Sequence, residues 1–104
     1  MFNIDKRYMT IGIKENVGLD IQLFIWHEVD ERINSKQNVD YLQVFNISII
    51  NESLCIVQIE HIQEIPEYKN TLIIKSNGIR ENLKVYVILE HESGYTTMLL
   101  SSEY

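Results

Sequence analysis

The chain has 104 residues, 45% of them hydrophobic and 23% charged, and its 15 acidic and 9 basic side chains give a formal charge of −6. That length suits one domain with a core of its own, and the composition lies far from that of a disordered segment. The acidic balance, with no stretch that gathers Lys and Arg, argues against direct nucleic-acid binding, which needs a basic patch.

The 17 Ile and 7 Val, with no Ala at all, favour a pleated sheet over helix. Arg7 to Ile13 reads as a first short strand, broken by Lys14-Glu15-Asn16. From Gly18 to Ser35 the period changes to that of a helix: Leu19, Leu23, Trp26 and Ile33, with Val29 beside them, share one face. Asp20 near its start and Arg32 and Lys36 at its end follow the charge order that the helix dipole favours. Ile21, Phe24 and Ile25 widen the apolar surface, so a curved sheet or a partner is expected to cover it.

After the polar turn Asn34 to Asn38, Tyr41 to Ile50 alternates strictly and sets Tyr41, Gln43, Phe45, Ile47 and Ile49 on one face of a long strand. Asn51-Glu52-Ser53 reverses the chain into a second long strand, Leu54 to Glu64, expected to pair with it antiparallel. Pro66 ends that strand, leaving Glu67 to Asn70 as a loop before a short strand, Thr71 to Lys75. Asn77-Gly78 predicts a two-residue hairpin turn, Ile79 to Asn82 fits no single element, and Leu83 to His91 and Tyr95 to Ser101 are the last strands, joined at Glu92-Ser93-Gly94. The expectation is one α+β domain over residues 1–104. Its antiparallel meander would curve around one long helix, as in a cystatin-like roll.

His27-Glu28-Val29-Asp30-Glu31 begins like the helical zinc motif but carries Glu31 where the second histidine belongs, so a solvent-side pair between His27 and Glu31 is the simpler reading. Glu90 and Glu92 share a strand face from which His91 points away. The serines sit in no glycine-flanked elbow, the glycines form no phosphate-binding loop, and Cys55, alternating with apolar residues, is expected to be a buried, inert thiol. A single cysteine excludes an internal disulfide and suits the cytoplasm. No leader-like start or apolar run long enough for a membrane span is visible, and no metal or cofactor is expected. His61, two residues before Gln63 on the same face and just ahead of Pro66-Glu67-Tyr68, is the one histidine placed where strand ends often hold functional side chains.

Three segments carry a resemblance: Gln22-Leu23-Phe24-Ile25-Trp26, Asp40-Tyr41-Leu42-Gln43-Val44-Phe45 and His61-Ile62-Gln63-Glu64-Ile65-Pro66-Glu67-Tyr68. Together they resemble the domain of unknown function 960 family, small proteins of Gram-positive bacteria, over most of the chain. The family often begins this helix with Pro where Gly18 stands here. The resemblance implies an α+β fold and a bacterial cytoplasmic setting, and it brings no activity, cofactor or catalytic residue.

Two functions from different classes follow. The first is a non-catalytic binding or adaptor domain, with self-association as one form of that role, motivated by the over-apolar helix and by the lack of an assembled catalytic constellation. The second is a small hydrolase or isomerase with a pocket between helix and sheet, His61 as acid or base, and Gln63, Glu64 or Tyr68 placing the substrate. A third, an acidic antagonist of a DNA-binding protein, requires carboxylates gathered along one face, whereas here they are scattered.

Overall fold

The computed structural model describes residues 6–35 and 37–104. Lys36, expected at the helix end, and residues 1–5 of the N-terminal segment lie outside the described residues. The elements in order are β1 (Arg7–Met9), α1 (Ile11–Asn16), α2 (Leu19–Asn34), β2 (Leu42–Asn51), β3 (Ile56–Gln63), β4 (Tyr68–Lys75), β5 (Leu83–Leu89) and β6 (Thr96–Leu100), followed by a short 3₁₀ turn, Ser101–Glu103. The fold is α+β, with one main helix and a mixed six-stranded sheet ordered β1-β6-β5-β2-β3-β4.

The sheet is not the expected antiparallel meander. β2, β3 and β4 are antiparallel neighbours in sequence, but β5 returns to pair with β2, so these four strands form a Greek key. At the far edge β1 lies parallel to β6, pairing Arg7 with Thr96 and Met9 with Met98. Short loops bar a parallel pair only between consecutive strands, and here almost the whole chain serves as the crossover.

Asn77-Gly78 makes no hairpin, because β4 and β5 are not neighbours. The connection is tied instead to the start of α2. Ser76 Oγ donates to Asp20 Oδ2 at 2.6 Å, and the Gly18 amide donates to the Gly78 carbonyl at 2.7 Å. A Cβ on Gly18 would lie 2.8 Å from Gly78 Cα, so these glycines serve close backbone approach. Gly18→Ala is expected to destabilise the fold by about 1–3 kcal/mol through overpacking, measured by denaturant unfolding. Gly94, at φ 77°, is the glycine that adopts the left-handed region, in the expected turn between β5 and β6.

Three local expectations are also corrected. The first strand stops at Met9, and Ile11–Asn16 is helical because Thr10 Oγ1 caps it, accepting from the Ile13 amide at 3.4 Å. Glu103 reaches back from the chain's end to hold that cap, accepting from Thr10 Oγ1 at 2.6 Å and the Gly12 amide at 3.2 Å. Glu67 to Asn70 is not all loop: β4 begins at Tyr68, immediately opposite Gln63. Cys55 sits in the turn before β3 at φ 56°, half-buried rather than buried.

The helix lies where the sequence places it, but a different stripe meets the sheet. Ile21, Ile25 and Val29 are fully buried, whereas Leu19 and Leu23 are 67% and 60% exposed. Trp26 and Ile33 pack at the flanks of a core in which Phe45, Ile47, Val57, Ile59, Val85, Val87 and Met98 face the helix. Helix side chains reach both edges of the sheet. Asp30 pairs with Arg7 of β1, whose guanidinium lies 4.9 Å from the Trp26 ring, while Asn70 of β4 donates to Glu28 at 3.1 Å. The sheet therefore curves around the helix.

Candidate functional site

Alternation along the central strands sends Gln43 and Phe45 of β2 and His61 and Gln63 of β3 to the helix side of the sheet. The register sets Phe45 opposite His61, His61 opposite Asn70, and Gln63 opposite Tyr68. α2 adds Glu28 and Arg32, one turn apart, from above. The result is a polar cluster inside an otherwise aliphatic core.

Backbone groups fix its orientation. Gln63 Oε1 accepts from the Asp40 amide at 3.0 Å, and Gln63 Nε2 donates to the Pro66 carbonyl at 2.7 Å and the Asn38 carbonyl at 3.3 Å. Gln43 Nε2 donates to Gln63 Oε1 at 3.0 Å and to the Asp40 carbonyl at 2.9 Å, which turns Gln43 Oε1 toward His61 Nε2 at 2.7 Å. The proton of a neutral His61 ring is therefore on Nε2, because an amide oxygen can only accept. Nδ1 is left facing Glu28 Oε1 at 3.3 Å, so a second proton there would form an imidazolium–carboxylate pair inside the fold. Burial, the largest influence, holds the His61 pKa below the ordinary imidazole value; Glu28 pulls it upward and Arg32 adds to the lowering.

Aromatic contacts complete the cluster. The His61 ring stacks on Phe45 with centroids 4.3 Å apart and meets the Tyr68 ring edge-on at 5.3 Å. Arg32 lies 3.9 Å from the Tyr68 ring centroid and donates from Nη2 to the Asn38 carbonyl at 3.3 Å. Its Nε is buried without a hydrogen-bond partner among the described residues.

Of the residues singled out in the sequence, His61, Gln63 and Tyr68 meet here, while Glu64 is exposed and lines the opposite side of the sheet. Sequence reasoning assigned no part to Gln43, Glu28, Arg32 or Asn70. The available signal was a glutamine alternating with core residues, and an acid and a base one helical turn apart beside Ile25 and Val29. His27 and Glu31 form an exposed contact of 3.8 Å one turn apart on α2. Among the described residues no group of three metal-binding side chains gathers.

The sheet face turned away from the helix carries a groove of about 460 Å³. Leu42, Val44 and Ile62 line its floor, and Asp40, Glu64 and Glu67 stand around it against the single cation Lys84. Beside it Glu60 pairs with Lys69 at 3.0 Å, and this hydrogen bond, followed by that from Asn46, lowers the Glu60 pKa. A second hollow of about 490 Å³, between α1 and the β4–β5 connection, mixes Lys14 and Arg80 with Glu15, Asp20 and Glu81. His61 lines neither.

Residues 6–103 match the model of a family described as Staphylococcal protein of unknown function (DUF960). The fold is similar to a crystal structure described as a protein of unknown function from Enterococcus faecalis, with a TM-score of 0.74 and 18% identity over 99% of this chain and 94% of that one. A search of curated proteins finds no match.

Proposed function

From the premise that the chain belongs to the Staphylococcal family of unknown function DUF960, we propose that it is a non-catalytic binding or adaptor domain that seats a protein segment on the uncovered face of its sheet. The observation that carries this reading is the groove floored by Leu42, Val44 and Ile62 and bordered by Asp40, Glu64 and Glu67. An aliphatic floor inside an acidic border suits an extended segment in which aliphatic and basic side chains alternate, one set facing the floor and the other reaching the carboxylates. The main helix between the first strand and the rest, and the curvature of the sheet around it, support reading the architecture as a cystatin-like roll altered by the β5–β2 crossing and the parallel β1–β6 edge; such rolls host many activities and bring none of their own.

The buried cluster favours binding over catalysis. His61 has no exposed surface, and its two ring nitrogens face Gln43 and Glu28, so a substrate could reach it only after the helix had moved off the sheet. In this reading the domain works in the bacterial cytoplasm, off the membrane and off nucleic acid. No helix among the described residues is long and apolar enough to cross a membrane.

The test is an amide-resolved NMR titration with a synthetic peptide of alternating leucine and lysine, beside a leucine–glutamate control. Shifts are expected at Leu42, Val44, Ile62 and Glu67 with the basic peptide alone. The paired charge reversal Glu64→Lys, Glu67→Lys is expected to weaken binding on the order of tenfold. Equal response to the acidic peptide, or shifts centred on His61 and Glu28, would refute the assignment.

A further inference from the structure

The second exposed feature of the sheet is its β4 edge, and its hydrogen-bonding parity can be read from the connections. The Ser76 amide donates to the Cys55 carbonyl at 2.8 Å, so in the β3–β4 ladder the even-numbered residues of β4 turn their backbone groups toward β3. The Leu89 amide, donating to the Tyr41 carbonyl at 2.7 Å, gives the β2–β5 ladder a parity that agrees with this across the intervening strands. Lys69, Thr71, Ile73 and Lys75 therefore point their backbone N–H and C=O groups out of the sheet. Their side chains are exposed, and the β3–β4 register runs from Ile56–Lys75 to Gln63–Tyr68 without a bulge.

We propose that β4 pairs antiparallel with β4 of a second copy of this chain, Thr71 facing Thr71 on the two-fold axis, joining the two sheets into one. This goes beyond the groove reading and uses the sheet edge, which shares Glu67 with the border of the groove. Both interface lysines would ordinarily discourage edge pairing, and this register accommodates them. Lys69 keeps its 3.0 Å pair with Glu60 of its own chain and lies across from Ile73 of the other copy. Lys75 falls opposite Glu67. Tyr68 falls opposite Ile74 on the helix side, an aromatic and β-branched pair of the kind that stabilises cross-strand contacts. Shifting the two-fold to Leu72 would set Lys69 against Lys75 at both ends, and shifting it to Asn70 would leave Lys75 opposite Ile65 and shorten the ladder.

Sedimentation velocity over a wide range of concentration tests this with the full chain. The mass is expected to rise from one chain to two. Thr71→Pro removes an outward N–H without touching the β3 ladder and should leave a folded monomer. Lys75→Glu, which places like charges opposite each other, should weaken the dimer at least tenfold, and Lys75→Glu combined with Glu67→Lys should restore it. A monomer at every concentration, a dimer insensitive to Thr71→Pro in protein with unchanged circular dichroism, or failure of the charge swap to rescue would overturn the proposal. Repeating the peptide titration on the Thr71→Pro monomer separates this outcome from that of the groove.

Discussion

Gln63→Leu is expected to destabilise the protein by about 2–4 kcal/mol, although leucine fills much the same volume in the core. The glutamine serves the Asp40 amide and the Pro66 carbonyl at 3.0 and 2.7 Å, besides Gln43 and Asn38, and leucine satisfies none of them. A buried donor or acceptor that loses its partner costs more than the bond contributed, since water cannot replace it. Gln43→Leu should cost a similar amount, and the double variant less than the sum, because the Gln43–Gln63 bond is then lost once rather than twice. Chemical denaturation of the three variants measures this. Strict additivity would mean the two amides do not act as one unit.

Stability is also expected to fall on mild acidification. Burial lowers the His61 pKa in the folded state, so below about pH 6.5 the unfolded chain binds a proton that the folded one resists. The contribution is fully present above the unfolded pKa and is lost as pH falls through the folded one. A single such group gives a slope of at most about 1.4 kcal/mol per pH unit. The groups facing the ring are Glu28, which favours the charged form, and Arg32, which opposes it; Gln43, Phe45 and Tyr68 are uncharged around it. Unfolding midpoints between about pH 8 and pH 5 should fall for the natural chain and stay nearly level for His61→Gln. The two carboxylates with lowered pKa act in a separate, more acidic window. Glu60, held by Lys69, and Glu103, held by Thr10, contribute above the ordinary carboxylate pKa and lose that contribution as pH falls through their own values. An equal acid response in His61→Gln would place the sensitivity elsewhere.

Much of the local structure is legible in the sequence. The period of Gly18 to Ser35 locates the helix, and alternation locates β2 and β3, puts Gln43, Phe45 and Ile47 on one side, and brings His61 and Gln63 to the same face. These features are local, set by the helical and strand repeats of the backbone itself. The helix carried two apolar stripes, however, and the choice of Ile21, Ile25 and Val29 over Leu19 and Leu23 was made by the sheet that covers it.

The sequence by itself thus determined the long helix, the central hairpin and the face on which each central side chain lies. Tertiary structure decided everything that depends on partners distant in the chain. Glu103 holds the Thr10 cap and makes α1 a helix, and Gly78 packs on Gly18 where an Asn-Gly hairpin was expected. β5 crosses back to β2, and β1 finds β6 in parallel. The buried cluster belongs to the same class. Glu28 and Arg32 look like surface charges on an amphipathic helix until the sheet curves up to meet them, and a lone glutamine in a strand shows its hydrogen-bond partners only once the loop at Asn38 and Asp40 has folded over it. Periodicity acts within a few residues, whereas satisfying a buried polar group is a condition on the whole fold.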